Sequence, residues 1–194
     1  MPVSSLEEAY FRSEERRVEQ GDLLRDLRVL ESQAAADGIE VADRAIPYCV
    51  VLSQDCDLDQ DFASRAVASR ADDDKFLRTV LVAPAYEAES FRAGTHLEGL
   101  GQRMRAFGTK ELDRVKQNSL PRYHFLPGHP PLQLPDLVID FKHFLTIPRD
   151  VLYRAVEWPS TYLATIEILF REHLSSRFAQ FVSRIGLPES SPDA

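Results

Sequence analysis

The chain is poor in the residues that staple a fold or build ready-made sites. Only two cysteines occur in 194 residues, Cys49 and Cys56, too few for the disulfide framework of a small secreted domain. Cys49 lies inside an apolar run and Cys56 just past its end. A bridge between them would fold an extended strand back on itself, so both read as free thiols of a reducing compartment. Eight glycines are scattered without the spacing of a phosphate loop or a dinucleotide fingerprint. No uncharged apolar run exceeds about ten residues, well short of a bilayer span. The opening M-P-V-S-S-L-E-E lacks the basic and apolar regions of a secretory signal. The expectation is a cytoplasmic protein with no membrane partner.

What is present is the balance of a folded protein. With 44% hydrophobic and 28% charged residues, wholesale disorder is excluded. The length suits one domain with a substantial core, or a domain with a helical appendage. A net charge of −8 argues against non-specific binding of nucleic acid by the whole surface. The charge is uneven, however. From Phe91 to Leu126, seven Lys/Arg, including Arg103, Arg105 and Arg122, face three acids, so that segment is +4 and the remainder −12. This is the one basic contact face that the sequence offers.

Ser5 with Glu8 forms a capping-box pattern and predicts a first helix ending near Gln20, before Gly21. The following L-L-R-D-L-R-V-L-E-S fits helix or strand, and Gln33 to Asp43 reads as a loop. Strands are expected at Ile46–Leu52, Phe76–Pro84, Arg122–Pro127 and Leu137–Ile147, with a charged loop at Asp61–Lys75. Short helices are expected at Glu87–Arg92 and, capped by Thr109, at Lys110–Asn118. From Pro159 and Ser160 onward, Ile166, Phe170, Leu174, Phe178, Val182 and Ile185 recur at helical spacing up to Gly186. That stripe must cover the chain's own sheet or a second copy, so a homodimer through this helix is one expectation. The organisation expected is a helix over residues 1–20, a core over 21–150 with an insertion at about 87–120, a helix over 151–187 and a disordered tail over 188–194.

Chemistry gathers in one stretch. In A-I-P-Y-C-V-V-L-S-Q-D-C-D-L-D, Ala45 to Asp59, a β-branched run breaks into Ser53, Gln54, Asp55, Cys56, Asp57 and Asp59. A buried strand thus hands a thiol and three carboxylates to a loop. As a nucleophile Cys56 needs a lowered pKa, and the neighbouring Asp55 and Asp57 act the other way. A histidine from elsewhere, His124 or His143, would have to act as base, with Asp140 orienting it or holding a metal. The i, i+2, i+4 acids resemble the start of a calcium loop, yet no glycine follows and Ala66 stands at the twelfth position. A Mg²⁺-dependent nuclease would need Asp140 at the same mouth. Otherwise no metal or cofactor is expected, since the cysteines form no C-x-x-C and His124 and His129 have no cysteine pair before them. Beside each of these readings stands a plainer one: a half-buried cysteine, a solvated acidic turn, a core histidine.

Gly21-Asp22, then P-Y-C-V-V-L-S (Pro47 to Ser53), V-L-V-A-P (Val80 to Pro84) and V-I-D-F-K-H-F-L-T-I (Val138 to Ile147) together resemble the MazF/PemK family. The resemblance implies an SH3-like barrel and, in that family, ribosome-independent mRNA cleavage within toxin–antitoxin pairs. The family's arginine before the V-V-L-S proline is Ile46 here, with Arg44 two positions earlier. Its threonine after the V-x-A-P strand is replaced by Ala85 and Tyr86. The barrel is expected to carry over and the RNase activity to be lost. The S-Q-D-C-D turn lies outside that pattern and is similar to an S-Q-x-C-D segment of bacterial proteins without an assigned activity.

The expected architecture is α+β: a small twisted SH3-like β-barrel with an N-terminal helix, a helical insertion and a long C-terminal helix. The expected function is a degenerate toxin-like binding module for a protein partner or RNA, in a bacterial toxin–antitoxin or phage-defence setting. Its contacts would come from Ser53, Gln54, Arg103, Arg105 and Arg122. The competing expectation is a hydrolase or nuclease using Asp55, Cys56 and Asp57 with His124 and Asp140, or a MazF-like endoribonuclease.

Overall fold

The computed structural model describes residues 9–14, 17–67, 74–158 and 160–184. In chain order the elements are β1 (Tyr10–Phe11), β2 (Asp22–Ala35), β3 (Gly38–Val51), α1 (Asp55–Arg65), β4 (Thr79–Glu87), α2 (Ala88–Ala93), α3 (Thr109–Lys116), β5 (Tyr123–Leu126), β6 (Leu137–Asp140), β7 (Leu145–Pro148), α4 (Arg149–Val156), β8 (Tyr162–Ile166) and α5 (Ile168–Val182). The strands form one antiparallel sheet in the order β1-β8-β2-β3-β4-β6-β5, with β7 also on β4, curled into a half-barrel. The α+β expectation holds at this level.

The apolar runs are continuous because the central strands are buried on both faces. On one face Val50, Ala83, Ala85 and Ile139 meet Leu163 and Ile166 beneath Leu174 and Phe181 of α5. On the other, Cys49, Val51, Val80 and Val82 meet Leu58 of α1 and Leu152 of α4. Tyr86 continues that second face by strand alternation and pairs with Val138. Val138 and Tyr123 there pack with Phe91 of α2 and Val115 of α3 in a third apolar cluster. The second face therefore carries two apolar clusters with Tyr86 between them.

Several expected elements change. Ser5 and Glu8 lie outside the described residues, and within 9–14 and 17–20 the chain forms β1 and irregular backbone rather than helix. Tyr10 pairs with Ile166 and its hydroxyl donates to the Pro127 carbonyl at 2.7 Å, so tertiary burial overrides local helix preference. The expected loop at 33–43 is the distal half of a long β2–β3 hairpin, turning through Ala36 and Asp37. The expected charged loop at 61–75 starts as the end of α1, where buried Asp61 binds Arg65 and Arg149. The strand expected over 137–147 breaks after Asp140. That carboxylate accepts from the Lys142 N–H at 3.0 Å and caps a 3₁₀ turn, Phe141–His143, after which β7 crosses to β4. The single C-terminal helix becomes α4, strand β8 and α5. Tyr162–Ile166 is a buried strand between β1 and β2, and the Glu167 side chain then caps α5 by accepting from Leu169 N–H. The apolar side of α5 covers the chain's own sheet. Ile185, Gly186 and the tail lie outside the described residues.

Candidate functional site

The acidic turn is spent on structure. Ser53 Oγ accepts from the Leu81 N–H at 2.9 Å, fastening the end of β3 to β4. Gln54 is the N-cap of α1, so Asp55, Cys56, Asp57 and Asp59 are helical rather than looped. A helix points them in different directions. Asp55 and Asp59, one turn apart, share Arg17: its guanidinium makes two 3.0 Å bonds to Asp55 and lies 3.7 Å from Asp59. Although burial pushes the Asp55 carboxyl up, Arg17 and the Gln20 N–H hold it below its ordinary value. Cys56 is exposed, with Sγ near only Gln54 and Asp57. Cys49 is buried, which pushes its thiol up to about 12. Among the described residues no group of three or more His, Cys, Asp or Glu is placed to hold a metal.

The expected pairing of His124 with Asp140 is undone by register. His124 stands opposite Ile139, and Asp140 opposite Tyr123. Neighbouring ladder positions point to opposite faces. His124 faces α5, 5.3 Å from the His173 ring. Asp140 faces the other way and is fully buried, accepting 2.8 and 2.6 Å bonds from Arg122. Arg122, expected as a contact residue, is therefore an internal partner. Arg105 pairs with Glu111, and Arg103 is exposed on the loop before α3.

Around Asp140 a polar cluster interrupts the second face. His143 Nδ1 lies 3.7 Å from Asp140 Oδ2. His96 stacks edge-on against Tyr86, with ring centroids 4.8 Å apart. Arg44, paired with Glu31, reaches the same field from β3. Burial lowers the His96 pKa to about 4, with Arg122 adding to the shift and Asp140 opposing it. Burial likewise lowers His143 and raises Tyr86 to about 12. Both ring nitrogens of His96 and Nδ1 of His143 are buried without a hydrogen-bond partner among the described residues. The sequence nominated Asp140, Arg122 and His143 separately. Nothing in it joined them to His96, which lies 44 residues before Asp140 by chain count.

A second polar cluster at the root of β2 was missed. Asp22 accepts from the Glu19 N–H at 2.8 Å and from the Thr165 hydroxyl at 2.7 Å. Thr165 in turn meets the Tyr162 hydroxyl, which accepts from Ser13 N–H. Arg17 and Arg171 bracket Glu19 at 3.9 and 3.8 Å. The Gly21-Asp22 pair was its only sequence signal. No family model, no curated protein and no solved structure matches the chain.

Proposed function

We propose that the protein is a toxin-like binding module that captures an extended, apolar and basic segment of a protein partner along its β2–β3 arm. The arm is the observation that carries this. Among the described residues, β2 past Leu24 has no strand partner but β3, and β3 before Tyr48 has none but β2. Leu27, Val29 and Ile46 root the ribbon in the second cluster, and beyond them its edges carry no strand partner among the described residues. Leu30, Val41 and Ile39 lie on one of its faces, 74%, 66% and 78% exposed. A two-stranded ribbon is marginal in water, and an exposed aliphatic face with free edges is a template for a third strand. Such strand addition takes its affinity from backbone bonds and its specificity from alternate side chains. The acids Glu31, Asp37, Glu40 and Asp43 outnumber Arg28 and Arg44, which pair with Asp43 and Glu31. The surplus favours a basic peptide over a phosphate backbone. An SH3-like form of the half-barrel and a toxin–antitoxin or phage-defence setting belong to this proposal through the sequence resemblance alone.

Hydrogen exchange of the full chain, alone and with a ten-residue peptide of alternating valine and lysine, tests it. Protection gained across residues 27–46, and lost in Ile39→Asp/Val41→Asp, is the expected result. Protection gained instead at 53–57 or 103–122 would return the contact surface to the acidic turn or the basic segment.

Metal-independent RNA cleavage is a second reading, favoured by His96 and His143 beside Arg122 and Asp140. One imidazole would take the 2′-hydroxyl proton and another would return a proton to the leaving oxygen. It ranks second because burial lowers both imidazole pKa values, which disfavours the imidazolium that the acid role requires. Incubation with mixed RNA, with and without Mg²⁺, decides it. Cleavage that disappears in His143→Gln would make the Asp140 cluster an active site, and no cleavage in either condition is expected.

A further inference from the structure

The opposite face of the sheet holds a cavity that neither reading uses. At the edge strand β5, Leu126, Ile166 and Phe170 wall it on the α5 face and Phe125, of opposite alternation, borders it from the α3 side; its volume is about 390 Å³. That is within the range of small-molecule sites. His124 lines it from β5, only 3% exposed, and its Nδ1 has no hydrogen-bond partner among the described residues. A buried polar atom left unpaired costs stability unless something else bonds it. His173 comes from α5 to within 5.3 Å of the same ring.

The polar rim defines what would fit. Lys116 and Asn118 line the mouth. Asn118 spends its side-chain oxygen on the Phe125 N–H at 2.7 Å, which leaves its amide group as a donor. Lys116 Nζ sits 5.4 Å from the Phe125 ring centroid and 3.6 Å from Asp136. Among the described residues no carboxylate lines the cavity itself, Asp136 reaching only Lys116 at its rim, although acids outnumber bases by eight in the chain. Burial, His173 and Arg177 keep His124 neutral, with a pKa of about 3, so it offers one N–H and one lone pair rather than a charge.

We infer that this cavity binds a small apolar monocarboxylic acid, its hydrocarbon between Leu126, Ile166 and Phe170 and its carboxylate at Lys116, Asn118 and His124. The apolar walls supply most of the affinity and the three donors supply orientation. The site is independent of the β2–β3 arm and of the polar cluster at Asp140.

Calorimetry and histidine NMR with sodium octanoate and 3-phenylpropionate on the full chain test the assignment, aliphatic and aromatic acids being the two sources of the same chemistry. Saturable binding of either, with shifts at His124 and His173, is expected. Lys116→Met should weaken it about tenfold, whereas Lys110→Met, on the exposed side of α3, should leave it unchanged. Because His124→Gln risks the fold, His173→Leu serves as the second site variant and should also weaken binding. Equal binding of 1-octanol would overturn the carboxylate assignment. So would binding unaltered in both site variants, a histidine response to Zn²⁺ alone, or no binding of either acid.

Discussion

Asp22 sits at the start of β2 with both carboxyl oxygens occupied, and burial raises its pKa to about 7 against the bonds from Glu19 and Thr165 that oppose the shift. In the unfolded chain an aspartate titrates near about 3.9. Between those values the folded protein holds a proton that the unfolded chain has released. The stability contributed by this group is therefore complete below about pH 4 and is lost as pH rises through about 7. Asp55, held low by Arg17, works in the other direction: its contribution is present above the ordinary carboxylate range and is lost as pH falls through its lowered value. Urea midpoints measured from pH 2 to 8 should decline from about pH 4 toward alkaline pH, and Asp22→Asn should remove most of that decline while leaving the acid-side loss. An identical pH profile in the variant would show that Asp22 is not the group responsible. Glycine gives a second contrast at this scale. Gly94 ends α2 with φ 79°, and a Cβ there would lie 2.1 Å from the Met104 carbonyl oxygen. Gly94→Ala should cost about 2–3 kcal/mol in denaturant unfolding. Gly99 has open space around it, and Gly99→Ala should fall within about 0.5 kcal/mol of the parent.

At the scale of elements, legibility followed burial. The V-V-L and V-L-V-A runs were readable because β3 and β4 are buried on both faces, so every position is apolar. The insertion helices were readable from their breakers, but the cap of α3 is Gly108 rather than the expected Thr109, and the Glu111 side chain accepts from the Gly108 N–H at 2.9 Å. Two elements were hidden for physical reasons. The distal arm has no core beneath it, so residues 33–43 show no buried alternation and resemble a loop. Strand β8 was masked because Ile166 happens to fall in phase with Phe170 and Leu174, although it ends the strand and they belong to α5. Register hid the sites in the same way. His124 and Asp140 both lie on strands as expected, but a shift of one ladder position decides the face, and sequence does not supply that register. The arm also carries a prediction of its own. Cross-strand pairs such as Arg28–Asp43 and Glu31–Arg44 contribute only about 0.2–1 kcal/mol each. Amides of residues 30–43 should accordingly exchange early, near the fraying limit, while those of β4 exchange only with global unfolding. Uniform protection along the whole hairpin in the free protein would contradict an unpartnered arm.

Across the whole molecule, one sheet serves three apolar clusters, and this couples them. Strand β4 gives Ala83 and Ala85 to the first and Val80 and Val82 to the second, and its end meets Ala88 of the third. Loss of one cluster therefore disturbs the strand on which the others depend. Helix α5 is fixed to this frame by Phe178 and Phe181 around Phe141, by Arg177 donating to the Leu120 and Tyr123 carbonyls at 2.7 Å, and by Arg171 donating to Gln20. Phe141, fully buried at the break between β6 and β7, joins the helix to the sheet. Phe141→Ala should cost about 3–5 kcal/mol, a large share of the roughly 5–15 kcal/mol by which a domain is stable. The loss should appear as a shift of a single transition, with far-UV and near-UV circular dichroism moving together. Separate transitions, with helical signal lost before the aromatic signal of the sheet, would mean that α5 detaches as its own unit. The His124 cavity, walled by that helix, would then open without unfolding the arm or the Asp140 cluster. Trp158, the only tryptophan and 65% exposed, is a poor reporter of this transition, which is why the near-UV circular dichroism of the buried tyrosines Tyr10, Tyr86 and Tyr123 is the measurement that separates the two outcomes.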